Sequence, residues 1–91
     1  MVMRTLLINQ FDFQTDDTEH KVFFMIGNMD TVRELLLDNF NSLESKYYGK
    51  GMLKYNGLRL YITIKEIPEV IKMLVGLGVN IYGIYELYEP K

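Results

Sequence analysis

The chain has no cysteine and no tryptophan, and its 91 residues include one histidine and two prolines. Without cysteine there is no disulfide framework, no Cys-ligated zinc and no thiol nucleophile. A single histidine excludes a His-rich metal site. Neither a metal nor a resident cofactor is expected. Charge of one sign is also missing. Ten basic residues against twelve acidic ones leave a net charge of −2, which gives no global basic field to attract nucleic acid or anionic lipid. The longest apolar run, Val22 to Ile26, falls far short of the ~20 residues that span a bilayer. The opening Met1-Val2-Met3-Arg4 carries no long apolar stretch of signal-peptide type. A cytoplasmic protein without direct membrane insertion is therefore expected.

What is present is ordinary for a globular domain: 48% hydrophobic and 24% charged residues. No repeat, low-complexity tract or Pro/Gly/Ser-rich linker divides the chain, so residues 1–91 read as one domain. The polar stretch Gln14 to His20 separates an N-terminal segment, residues 1–19, from a core, residues 20–91. Thr5 to Phe13 has partial alternation and could add a strand ahead of that core. Lys21 to Gly27 is a stronger strand. Its unbroken Val22-Phe23-Phe24-Met25-Ile26 suits a central position buried on both faces.

A helix follows, with Asp30 as the expected N-cap and Val32, Leu35, Leu36, Phe40 and Leu43 as its apolar stripe. Tyr47-Tyr48-Gly49-Lys50-Gly51 should end it, with glycine free to take positive φ. Asn56-Gly57 predicts a two-residue type I′ hairpin turn. Beyond it, Leu58, Leu60, Ile62 and Ile64 alternate with Arg59, Tyr61, Thr63 and Lys65 as a half-buried strand. A second helix opens near Ile67-Pro68-Glu69, where proline loses no intrahelical hydrogen bond. It buries Ile67, Val70, Ile71, Leu74 and Val75 and stops at Gly78. Val79 to Tyr88, rich in β-branched and aromatic residues, is the last strand. The expected fold is α+β: a ferredoxin-like βαββαβ two-layer sandwich with an optional extra N-terminal strand.

Two helices cover one face of a four-stranded sheet. If Leu58, Leu60 and Ile62 face the helices, then Tyr61, Arg59 and Thr63 face away. With Val79 and Ile81 inward, Tyr82, Ile84 and Tyr88 point outward, and Phe23 and Met25 join them. So much aromatic surface implies a cover. Phe23, Met25, Tyr61, Tyr82 and Tyr88 are the expected interface residues.

Patterns with chemical potential are weaker. Asp16, Asp17, Glu19 and His20 match no EF-hand or zinc spacing and read as a solvated turn. Gly49-Lys50-Gly51 lacks the remainder of a P-loop. Lys46, Lys50, Lys54 and Arg59, interleaved with Tyr47, Tyr48 and Tyr55, form a local basic and aromatic patch of the kind single strands favour. Phe24 to Met29 is similar to the first strand motif of RRM domains. The second motif is missing at Gly57-Leu58-Arg59-Leu60-Tyr61, and DNA or RNA is not expected as a partner. Ser42, Ser45 and His20 assemble no triad. No catalytic residue is assigned.

Residues Lys21 to Glu86 resemble the C-terminal accessory domain of ABC transporter ATP-binding subunits of the drug- and bacitracin-resistance type. The passage Ile67-Pro68-Glu69-Val70-Ile71-Lys72-Met73-Leu74-Val75, continuing into Gly78-Val79-Asn80-Ile81-Tyr82, is similar to that family's final helix and strand. Val22 to Leu43 and Leu58 to Ile64 are similar to its earlier elements. The resemblance implies a non-catalytic accessory domain, peripheral to the membrane, whose partner is the ATPase core of the transporter or a second copy of itself. No Walker or signature motif occurs here, so an excised domain or a detached relative is implied. Two other functions fit the same element order: a stand-alone ACT-like regulatory domain that binds small effectors, and a single-stranded nucleic-acid module.

Overall fold

The computed structural model describes residues 17–87. The expected strand at Thr5–Phe13 and the expected interface residue Tyr88 lie outside the described residues. Strand β1 (Glu19–Ile26) leads to helix α1 (Met29–Phe40), then to the hairpin of β2 (Gly51–Lys54) and β3 (Gly57–Thr63). A 3-10 turn (Ile64–Glu66) feeds helix α2 (Ile67–Gly76), and β4 (Ile81–Glu86) closes the order. The strands form one antiparallel sheet in the order β2-β3-β1-β4. It is a mixed α+β architecture, a four-stranded antiparallel sheet with two helices.

The central place of β1 follows from its sequence. Its even positions Val22, Phe24 and Ile26 are buried, and β3 supplies Leu58, Leu60 and Ile62 beside them. The helices complete this cluster with Met29, Val32, Leu36 and Phe40 from α1 and Val70 and Leu74 from α2. One core thus lies between the two helices and one side of the sheet.

Both apolar stripes are narrower than expected. Leu35 and Leu43 of the first stripe are exposed, as is Val75 of the second. Helix α1 ends at Phe40, so Leu43 lies beyond the helical register and stands 82% exposed. Its N-cap is Asn28 rather than Asp30, which sits inside the first turn where its charge complements the helix dipole.

The hairpin also departs from expectation. Lys54 pairs with Gly57, so Tyr55 and Asn56 are the central turn residues. No non-glycine residue among those described has positive φ, and neither does Gly57, so the turn is not type I′. Gly57 is needed for close approach instead. A Cβ there would collide with the Phe24 carbonyl oxygen and the Phe23 ring.

Helix α2 keeps the expected ends. Pro68 occupies its first turn. Gly78 adopts φ +81° just after the C-cap Leu77. Gly78 N–H donates to Val75 C=O at 3.0 Å and Val79 N–H to Leu74 C=O at 3.0 Å, a full Schellman closure.

Asn28 joins the two strand–helix junctions. Its Nδ2 donates to Gly78 C=O at 3.0 Å, and its Oδ1 accepts from Asn80 N–H at 2.9 Å. Gly27 N–H donates to Asn80 C=O at 2.9 Å alongside. A single side chain therefore aligns the end of β1 with the entry to β4. Asn28→Ala should lower unfolding stability by about 1–3 kcal/mol, because two backbone groups lose their partner. Urea denaturation checks this. A change within error of zero would show that water replaces the amide at no cost.

Candidate interaction surface

Opposed residues in an antiparallel sheet share a face. The register sets Met52 opposite Arg59, Arg59 opposite Phe23, and Phe23 opposite Tyr85, a row that crosses all four strands. Phe23 alternates with the buried Val22 and Phe24, so this row lies on the side away from the helices. Tyr61 and Lys21 pair in the next row, and Lys54, Gly57, Met25 and Gly83 form the row on the other side.

Phe23, Met25 and Tyr61 are therefore brought together on one face. Tyr82 is not in line with them. It sits where the β1–β4 register shifts between Met25 and Ile26, with its ring over Gly27 and 71% exposed. That shift overturns the outward placement of Ile84. Ile84 pairs with Phe24 and belongs to the helix side. Tyr85 takes its place on the open face, opposite Phe23. Counting alternate residues from Val79 cannot detect a one-residue irregularity, and every later side chain changes face when one intervenes. The rings on this side lean on glycines: Phe23 covers Gly57 and Tyr85 covers Gly83, each filling the place where a Cβ would stand.

The sequence-level basic and aromatic patch is dispersed. Tyr47 is buried, with its ring 5.5 Å from that of Phe40 between centroids. Its hydroxyl donates to Glu69 Oε2 at 3.0 Å. Lys46 lies over the Tyr47 ring and bonds Glu69 at 3.1 Å, with Glu66 at 3.5 Å. Glu66 in turn accepts from the Thr63 N–H at 2.9 Å and the Thr63 hydroxyl at 3.2 Å, which fixes the turn into α2. Lys50 pairs with Glu19. Only Lys54 and Arg59 of the four cations stay unpaired among the described residues, and both lie on the open face.

The acidic turn is likewise divided. Asp17 pairs with Lys65 at 2.6 Å, and His20 Nδ1 lies 2.7 Å from Glu86 Oε2. Glu19 and His20 are successive strand residues, so their side chains leave opposite faces. Among the described residues no group of three or more His, Asp or Glu could hold a metal ion. No helix among them is long and apolar enough to cross a membrane.

A shallow concavity of about 340 Å³ opens at the β2 end of the open face. Glu19, Lys21, Lys50, Met52, Arg59 and Tyr61 line it, together with Gly49 and Gly51. Lys50 C=O accepts from Tyr61 N–H at 2.9 Å, which ties the glycine-flanked turn to the floor. No protein-family model, curated protein or solved structure matches the chain.

Titration reports on the Tyr47 cluster. Burial first, then the hydrogen bond to Glu69 and the nearby carboxylate charges, push the Tyr47 phenol far above its ordinary value. Lys46 and then Tyr47 hold the Glu69 carboxyl below its ordinary value. A phenol whose pKa is raised by folding adds stability that is intact below the unfolded value of about 10 and is lost as pH climbs beyond it. Unfolding midpoints of the wild type should therefore fall above pH ~10. Tyr47→Phe, which has no proton to lose there, should show a shallower decline. Equal alkaline slopes for the two proteins would refute the coupling.

Proposed function

We propose that this chain is a non-catalytic, cytoplasmic interaction module of the ferredoxin-like class that docks through its open sheet face onto the ATPase core of an ABC transporter. The βαββαβ order with β1 and β3 at the centre supports the fold class. The resemblance of Lys21 to Glu86 to the accessory domains of such ATPases supports the partner. The observation that carries the docking reading is the aromatic surface on the side that the helices leave uncovered. Phe23, Met25 and Tyr85 meet there, with Tyr61 in the adjoining row and Tyr82 at the β4 end. Among the described residues the neighbouring β4 edge is unpaired as well. Ile81 to Glu86 contains no lysine, arginine or proline, the residues that usually guard an edge strand.

Aromatic residues partly exposed around a central ring are the usual anchors of a protein interface. Phe23 is such a centre, flanked by Arg59 and Tyr85. Phe23→Ser and Tyr85→Ser alter the open face alone and should leave the circular dichroism spectrum unchanged. The wild-type chain should co-elute with an ABC ATP-binding subunit of the same genome in size-exclusion chromatography, and each variant should elute apart. Independent elution of the wild type, or self-association in place of the complex, would overturn the assignment.

A further inference from the structure

We propose that the concavity at the β2 end of the open face binds a nucleoside monophosphate, with its phosphate against the cationic side chains and its aromatic base on Tyr61. The site lies away from Tyr82 and Tyr85 and shares Arg59 and Tyr61 with the proposed docking face, but its argument does not use the docking reading.

Charge is the first argument. Among the described residues that line this hollow, Lys21, Lys50 and Arg59 are cationic and Glu19 is acidic, and Lys21 already has an interaction of its own. Glu19 is engaged by Lys50. Arg59 makes no ion pair among the described residues, although it stands at the middle of the sheet between Met52 and Phe23. An arginine held on a rigid strand presents a planar fork that suits two oxygens of a phosphate.

The second argument is the neighbouring apolar surface. Tyr61 is two residues along the same strand, on the same face, and is 46% exposed. Its ring offers a stacking platform for a base, and Met52 supplies an adaptable apolar wall opposite Arg59. A volume of about 340 Å³ falls at the lower end of the ~300–1,000 Å³ range of small-molecule sites. A sugar–phosphate with one base is of that order, and a larger cofactor is not.

Isothermal titration of the full chain with AMP, inorganic phosphate, adenosine and a short oligo(dT) tests this. AMP should bind saturably, and more tightly than phosphate or adenosine alone. Arg59→Ala should weaken AMP and phosphate by about tenfold or more, the scale of one lost charge-assisted contact. Tyr61→Leu should weaken AMP while leaving phosphate unchanged, and Lys72→Ala on α2 should change neither. Oligo(dT) binding far more tightly than AMP, with steep salt dependence, would place the phosphate and base in a single strand. Equal or weaker binding would place them in a free nucleotide. The proposal fails if the folded chain shows no saturable AMP binding, or if Arg59→Ala and Tyr61→Leu bind AMP as the wild type does.

Discussion

Strand β1 is hydrogen-bonded along both edges, to β3 on one side and β4 on the other. It therefore has no free edge, and its side chains must serve two different environments. Val22, Phe24 and Ile26 meet the helices, while Phe23 and Met25 face the other way. Both sets are apolar. The five-residue apolar run suits a strand buried on both sides. Strand β3 continues the buried side with Leu58, Leu60 and Ile62 but places Arg59 and Tyr61 on the other. The two faces thus diverge in character as the sheet extends from the Phe23–Met25 centre of β1, apolar there and mixed toward the β2 edge.

That arrangement requires the two crossovers to deliver their strands in register. Two local devices do so. The Schellman closure at Leu77–Val79 turns the chain sharply out of α2, with Gly78 at positive φ. Asn28 then receives the emerging segment through Gly78 and Asn80, using its amide as a substitute for a peptide unit. On the far side, Tyr47 and Glu69 connect the loop after α1 to the start of α2. The Asn28 and Tyr47 connections each join residues more than twenty positions apart, so each ties one half of the chain to the other rather than strengthening a single element.

The parts legible in sequence are those governed by strictly local chemistry. Pro68 and Gly78 marked the ends of α2 because a missing N–H and a missing Cβ act wherever they stand. The apolar run placed β1, and alternation placed Leu58, Leu60 and Ile62. The misread positions depend on partners distant in sequence. Asn28 is an ordinary polar residue until Gly78 and Asn80 lie beside it. Gly57 reads as a turn residue from its neighbours in sequence, whereas the Phe24 carbonyl and the Phe23 ring require it. Tyr47 reads as an exposed aromatic because nothing nearby in sequence reveals that Phe40 and Glu69 enclose it. Tyr85 was missed for a related reason: a single shift of register reverses every later side chain, and apolar residues on both parities hid the change.

The open face carries two kinds of surface on one side of a small sheet. Aromatic rings laid over glycine, as Phe23 lies over Gly57 and Tyr85 over Gly83, are supported from below and lose little side-chain freedom when something packs on them. A pre-ordered surface of this kind favours association, because the ordering cost is met during folding. At the β2 end the same sheet carries cations, and there the balance differs. Covering Arg59 with an apolar partner would strip its guanidinium of water without return, a penalty of several kcal/mol by order of magnitude. An apolar protein surface is therefore disfavoured at that end, whereas a phosphate whose base stacks on Tyr61 would satisfy the guanidinium and the ring together. The boundary runs through the row Met52–Arg59–Phe23–Tyr85, where a charge and an aromatic ring stand side by side on adjacent strands.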